Sequence, residues 1–373
     1  MGGVGVSIFV STGEVSGDLY AAGLISELRR AGYDQPIWGM GGSLAAGLER
    51  YWSNESLQIM GLSSVLRGIP RIFRLSSQIV EQVIRRRPDA VVLVDSPDFH
   101  VPLARRLRRA GFDGPIVDLC PPTVWAWRRG RAKALKKYCT LCLPLFDFEA
   151  RVLKTLGVPA VWEGYPLIDD VSRWNVGAPN EDEKTVALMP GSRLREVRSL
   201  LPILERVGIR LRKSGFRPVL SLASGLRAEG AQLIRSNKAG LPVFEGPGRE
   251  LMARSRFVVA ASGTVAVEAM LLDRFMVVLY RGSLFEWSVF NLLRLTPFVS
   301  VPNVLAGWQV YPELIQDKCR EDLIWKAIRR YVSSSDFRSK VHRTLAANRR
   351  RMGTPGVFAR WARRVLELME HRQ

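Results

Sequence analysis

The amino-acid sequence predicts an α/β protein of two doubly wound, Rossmann-like domains. At 373 residues the chain exceeds the usual size of a single domain. Continuous apolar, β-branched runs recur along it, most of them followed by an amphipathic helical pattern, and such alternation marks buried parallel strands. A polar stretch over 169–184, containing Asn175, Gly177, Pro179 and Glu181-Asp182-Glu183, divides these runs into two sets.

In chain order the strand runs are 4–10, 37–39, 90–94, 116–119 and 141–145, then 186–189, 219–222, 257–260 and 276–279. The domains are thus expected at 1–168 and 185–340, joined by a linker at 169–184. A helical tail over 341–373, rich in arginine at Arg349-Arg350-Arg351 and Arg363-Arg364, is expected to pack back on the first domain. Ligands of such sheets bind beyond the carboxyl ends of the strands, so two domains facing a central cleft would share one crevice.

Composition narrows the chemistry. A hydrophobic fraction of 47% with 24% charged residues belongs to a folded globular chain. No apolar stretch reaches the roughly 18 residues of a membrane span, and the first run is too short for a secretory signal, so a cytoplasmic location is expected. Lys and Arg outnumber Asp and Glu 55 to 35, and the net +20 favours an anionic partner: nucleic acid, an acidic membrane or a phosphorylated substrate. Cys139 and Cys142 sit in an apolar run whose positions three apart point to opposite faces, a core arrangement rather than a redox pair. His100, His342 and His371 are widely spaced and lack clustered cysteines, which disfavours a zinc site and a serine-histidine-acid triad. Catalysis must then rest on carboxylates, Arg and Lys, hydroxyls and backbone amides, and neither a metal nor another cofactor is expected.

The loops after the strands carry the candidates. After the first comes Ser11-Thr12-Gly13-Glu14-Val15-Ser16-Gly17-Asp18, where the glycines allow close backbone approach and Ser16 or Asp18 can cap the next helix. Glu14 is more than a cap requires. Strand 90–94 ends in Asp95-Ser96-Pro97-Asp98, and an acid at that place is suited to act as general base. In the second half, Pro190-Gly191-Ser192-Arg193 opens a helix, so its amides and the Arg193 fork suit a diphosphate. The Walker G-K-[ST] is absent, which disfavours a P-loop ATPase. Ser262-Gly263-Thr264 supplies another helix start, and Glu268, just over one turn further on, suits ribose hydroxyls. Together they describe a nucleotide-sugar site. Trp125-Ala126-Trp127 followed by Arg128, Arg129 and Arg131 offers stacking surfaces beside phosphate-binding cations, although core burial explains the indoles equally well.

At these residues the chain resembles the lipid-A-disaccharide synthase family, inverting glycosyltransferases of the two-Rossmann (GT-B) class. The motifs span nearly the whole length: Gly13-Glu14-Val15-Ser16-Gly17-Asp18, Met60-Gly61-Leu62, Asp95-Ser96-Pro97-Asp98-Phe99, Val124-Trp125-Ala126-Trp127-Arg128, Pro190-Gly191-Ser192-Arg193, Ser262-Gly263-Thr264 with Glu268, and Pro302-Asn303-Val304-Leu305-Ala306-Gly307. The resemblance implies condensation of UDP-2,3-diacylglucosamine with 2,3-diacylglucosamine 1-phosphate to a β-1,6 disaccharide 1-phosphate and UDP. It implies Asp95 as base, Arg193 and Glu268 facing UDP, and Asn303 in the same cleft; Glu14, from its glycine loop, is the second catalytic candidate. The chain departs from the usual pattern at Ser43, at Tyr165, where His is frequent, and at His100, where Asn is frequent.

Other GT-B transferases and UDP-GlcNAc epimerase-like enzymes share this logic, since fold does not fix function. A nucleic-acid binder would use the basic tail but leaves the strand-end carboxylates unexplained, so no nucleic-acid partner is expected. Acylated substrates call for a peripheral position on the inner face of the cell membrane. Leu57, Ile59, Met60, Leu62, Val65, Leu66, Ile69, Ile72, Phe73 and Leu75, interleaved with Arg67, Arg71 and Arg74, form a basic amphipathic pattern suited to an anionic surface. Gly68 and Pro70 leave open whether it is one helix or two. The run 284–290 is a second candidate patch, and the choice between monomer and homodimer stays open.

Overall fold

The computed structural model describes residues 6–58, 65–125, 129–171, 183–282 and 296–370. The chain divides into two compact units, Met1–Asp169 with Met352–Gln373, and Asp170–Arg351. Each is built on one six-stranded sheet, and every strand pairing in both is parallel.

In the first unit the strands are β1 (Ile8–Thr12), β2 (Ile37–Gly41), β3 (Glu49–Ser53), β4 (Ala90–Val94), β5 (Ile116–Leu119) and β6 (Leu141–Leu143), in the order β3-β2-β1-β4-β5-β6. All but β3 are wholly buried, as helices on the faces of a parallel sheet require. Its helices are α1 (Val15–Arg30), α2 (Glu55–Gln58), α3 (Val65–Arg86), α4 (Pro97–Arg109), α5 (Arg131–Tyr138), α6 (Asp147–Thr155) and the start of α7 (Leu167–Val171), whose last two residues belong to the second unit. Helix α3 runs unbroken through Pro70. Ile72 and Leu75 turn to the core while Phe73 stays 62% exposed.

The second unit repeats the plan. Its sheet order is β12-β11-β10-β7-β8-β9, with β7 (Thr185–Met189), β8 (Arg217–Ser221), β9 (Val243–Phe244), β10 (Phe257–Ala261), β11 (Phe275–Tyr280) and β12 (Glu313–Ile315). The helices are α8 (Leu194–Lys213), α9 (Ala228–Arg235), α10 (Gly248–Ala253), α11 (Val265–Leu271), α12 (Val301–Ala306), α13 (Glu321–Ser333) and α14 (Ser335–Arg350). Chain order reverses between β1 and β4 in one sheet and between β7 and β10 in the other. Loops leaving those four strands therefore flank the place where such sheets bind ligands.

The tail is shared differently from the expectation of a single segment from 341. Helix α14 stays with the second unit, burying Phe337, Val341 and Leu345, and the Asn348 side-chain amide donates to the Pro302 carbonyl at 2.9 Å. The return begins at Met352, and α15 (Val357–Glu370) packs on α1. There Trp361 is fully buried, its ring edge-on to Tyr20 at 6.2 Å. Gly23 makes room, since a Cβ at that position would lie 2.5 Å from the Phe358 ring. The Asp169 carboxylate accepts the amides of Gly356 at 2.7 Å and of Val357 and Phe358 at 3.1 Å, which caps α15. Most of the expected linker, at 172–182, lies outside the described residues, as do Met60-Gly61-Leu62 and the run 284–290.

Candidate active site

In the first unit the β1 and β4 loops meet around Asp95. Asp95 and Ser96 both take the left-handed conformation, at φ 55° and 42°, which turns the chain sharply off the sheet before Pro97 starts α4. The carboxylate lies over the start of α1, where a Cβ at Gly17 would come within 2.4 Å of Asp95 Oδ2. A Cβ at Gly13 would fall 1.9 Å from Ser96 Oγ. The two glycines of the first loop thus make space for the acid of the second.

His100 fixes this turn from behind. Fully buried on α4, it donates from Nδ1 to the Asp95 carbonyl at 2.7 Å, and its Nε2 accepts from the Ser11 hydroxyl at 2.8 Å. Burial pushes the imidazole pKa down to about 4, so the ring is a neutral spacer. Asp95 moves the opposite way, to about 7, because of burial first and the Glu14 charge second; Ser96 and the Gly13 amide counter in part. Among the described residues no well-formed hydrogen bond reaches either carboxylate oxygen. Glu14 itself is exposed, the extended residue just before α1, and Ser16 is half-buried in the first turn of that helix. Two neighbouring carboxyls with unlike environments are the arrangement that separates an acid-base role from a charge role.

Asp18 serves structure. Buried, it accepts from the Thr12 hydroxyl and, at 3.0 Å, from the Gly42 amide and the Asn54 side-chain amide, tying β1, α1 and the β2 end together. Further along the sheet, Glu149 accepts the Trp125 indole N–H at 2.6 Å and the Phe146 amide at 3.2 Å, and burial lifts its pKa to about 7. With its N–H committed there, Trp125 is tied to α6. Trp127 and Arg128 lie outside the described residues, while Arg131 pairs with Asp98.

In the second unit Gly191, at φ 110°, turns the chain from β7 into α8. The amides expected to await a diphosphate are already occupied. Ser192 and Arg193 N–H donate to Glu196 Oε2 at 3.1 and 3.3 Å, and the Arg193 guanidinium lies 3.5 Å from Glu196 Oε1. This acid one turn into the helix satisfies orphan donors as capping glutamates do, so the site is anion-compatible but self-covered. The other helix start is more open. Ser262 N–H continues the strand by donating to the Leu279 carbonyl at 2.7 Å, whereas Gly263 and Thr264 are exposed and their amides meet no acceptor among the described residues.

Glu268 stands in the first turn of α11 with its side chain 18% exposed, 3.9 Å from Arg249 Nε. Burial raises its pKa, while Arg249 opposes and Asp170 adds to the rise. Arg249 escapes the sequence reading; its signal is the Gly246-Pro247-Gly248 turn that follows β9 and sets an arginine at a strand end. Asn303 has another post than the expected one. It is fully buried, its Nδ2 donates to the Tyr311 carbonyl at 2.8 Å and to Glu313 Oε1 at 2.7 Å, and its Oδ1 accepts the Tyr311 amide at 2.8 Å. Both amide hydrogens and one lone pair of the carbonyl are used inside the fold, so Asn303 braces β12.

Known proteins resemble this chain over nearly its whole length. A family model described as lipid-A-disaccharide synthetase matches residues 8–354. The chain belongs to that family. It is 36% identical to a lipid-A-disaccharide synthase of Myxococcus xanthus, with 97% of each chain covered, and 34% identical to one of Pseudomonas aeruginosa, with 99% of each covered. This family membership makes it a glycosyltransferase of lipid A biosynthesis. Among solved structures it is similar in fold to a UDP-GlcNAc 2-epimerase from Neisseria meningitidis bound to UDP-GlcNAc, at TM-score 0.62 and 11% identity over 98% of this chain and 100% of that one. It is likewise similar to the calicheamicin glycosyltransferase CalG4, at TM-score 0.61 and 16% identity over 98% of each chain. At such identities these likenesses speak for the GT-B fold alone.

Proposed function

We propose that the chain transfers 2,3-diacylglucosamine from its UDP derivative to the 6-hydroxyl of 2,3-diacylglucosamine 1-phosphate. The products are a β-1,6 disaccharide 1-phosphate and UDP. The observation that carries this reading is the Asp95 carboxyl, turned off β4 by a left-handed residue pair, braced by His100 and titrating near neutrality. Such a base takes the proton of the acceptor hydroxyl as its oxygen attacks the anomeric carbon. The bond from that carbon to the diphosphate oxygen breaks on the opposite face, its electron pair leaves with UDP, and the configuration inverts. Arg193 and the amides of Gly191, Ser192, Gly263 and Thr264 are suited to the leaving diphosphate, with Ser262 beside them, and Glu268 to the ribose hydroxyls. Glu196 swings away when the Ser192 and Arg193 amides take phosphate. Glu14, next to Asp95, keeps the base from ionising too readily.

The acylated substrates favour work at an anionic membrane surface. Among the described residues no helix is long and apolar enough to cross a bilayer. Support for surface contact comes from α3, which exposes Phe73 beside the exposed Arg71 and Arg74. Incubation of the purified protein with both diacylated substrates tests the reaction: equimolar UDP and disaccharide 1-phosphate are expected, and plain UDP-GlcNAc should be turned over poorly. Epimerisation of UDP-GlcNAc without disaccharide formation would replace this reading by the epimerase one.

A further inference from the structure

The second unit holds a three-residue charge relay that the reaction as written does not use. Asp170, the first residue of that unit, accepts a hydrogen bond from Arg249 Nη1 at 2.5 Å. On its Nε side the same guanidinium approaches Glu268 Oε1 at 3.9 Å. The three side chains come from α7, α10 and α11 and are largely buried, with Arg249 17%, Glu268 18% and Asp170 31% exposed. One cation is therefore divided between two carboxylates, with the tighter contact on Asp170. The backbone prepares this position. Pro247 precedes α10, and Gly248 lies so close to β7 that a Cβ there would come 2.8 Å from Met189 Cε, which brings Arg249 in beside α11.

We infer that Arg249 is a positioning residue for nucleotide recognition: it keeps the Glu268 carboxylate charged and aimed, while Asp170 competes for the same guanidinium and sets how firmly Glu268 is held. The inference rests on the assignment of Glu268 to the ribose hydroxyls. A carboxylate accepts from two hydroxyls only when ionised, and a buried carboxylate left without its cation binds a proton instead. Arg249 and Asp170 are the charged groups acting on Glu268 among the described residues, the first favouring and the second opposing its ionisation. A direct phosphate contact by Arg249 would also weaken UDP binding on substitution, but not preferentially at the acid end, since the terminal phosphate carries more charge as pH rises.

The test is UDP titration of the full chain between pH 5.5 and 8.5, with each variant expressed as a ratio to the unsubstituted protein so that ionisation of UDP itself cancels. Arg249→Gln should weaken binding by about tenfold at the acid end and recover towards the alkaline end, the behaviour of a carboxyl whose pKa has risen by about one unit. Arg249→Lys should restore most of the affinity at low pH, and Asp170→Asn should bind as tightly as the unsubstituted protein or more so there. Glu268→Gln should weaken binding most at the alkaline end, where the unsubstituted carboxyl is ionised, and adding Arg249→Gln to it should leave that profile unchanged. A constant ratio for Arg249→Gln across this range, or an acid-end loss from Arg249→Gln that persists on the Glu268→Gln background, would overturn the positioning role. Unchanged UDP affinity in Glu268→Gln would instead remove the ribose assignment, and this inference with it. Thermal unfolding of each variant separates misfolding from loss of the relay.

Discussion

At the scale of single residues, the base role proposed for Asp95 and the stability of the fold make opposite demands. Its pKa is lifted from 3.8 to about 7 in the folded chain, so folding takes up a proton between these values, and above them the ionised group costs stability. At about 1.4 kcal/mol per unit, Asp95→Asn should stabilise the fold by up to about 4 kcal/mol at pH 8 and by little at pH 4. The same change should lower turnover by about 10² or more with UDP affinity nearly unchanged. Denaturation at the two pH values, together with kinetics, checks both halves. Near-normal turnover would sink the base assignment, and equal stabilisation at both pH values would sink the account of its burial. Much of this site is legible in the chain, because an acid directly after a buried strand has few structural uses. The part played by His100 is not, since a lone histidine on an amphipathic helix looks the same whether it faces the core or a turn. Glu196 shows the converse: its position three residues into α8 is visible in the sequence, but only the folded loop reveals that it covers the amides.

At the scale of elements, edge strands and α3 separate pattern from placement. The buried strands β1, β2, β4 and β5 of the first sheet read as apolar runs, while β3, with the sequence Glu-Arg-Tyr-Trp-Ser, carries no such signal. An edge strand needs only one paired side, so polar and aromatic residues suffice. Arg86 covers this edge, its guanidinium 4.4 Å from the Tyr51 ring centre and 4.8 Å from that of Trp38. For α3 the basic amphipathic pattern is plain, but the pattern alone does not say which apolar residues face inward. The structure sends Ile72 and Leu75 to the core and leaves Phe73 outside with Arg71 and Arg74. If that outer face meets lipid, Arg71→Glu with Arg74→Glu should weaken binding to anionic vesicles at least tenfold, given about 1 kcal/mol for each basic residue near such a surface. UDP affinity should not change. Unaltered co-sedimentation at low and moderate salt would leave the membrane contact to another segment.

At the scale of the whole molecule, the chain leaves its first unit at Asp169, builds the second, and returns at Met352. The return is anchored by apolar packing and by one carboxylate, since Trp361 is buried against α1 and Asp169 caps the incoming helix. Trp361→Ala should therefore destabilise the first unit by about 3 to 5 kcal/mol, the usual cost of deleting a buried aromatic. A chemical denaturation midpoint unmoved by this change would show the tail to be an ornament. By itself the sequence determined the α/β class, the two repeated sets of strands, the motif-bearing loops at their ends and the family, because strand burial and strand-end motifs are local and survive in a one-dimensional pattern. Only the tertiary structure decided that the arginine-rich tail is split between the units, that Asn303 is a brace, that glycines 13 and 17 exist to seat Asp95, and that Arg249 is shared by Asp170 and Glu268. Each of those rests on residues far apart in the chain that compete for one space or one hydrogen bond, and such competition is settled by packing, which no local pattern records.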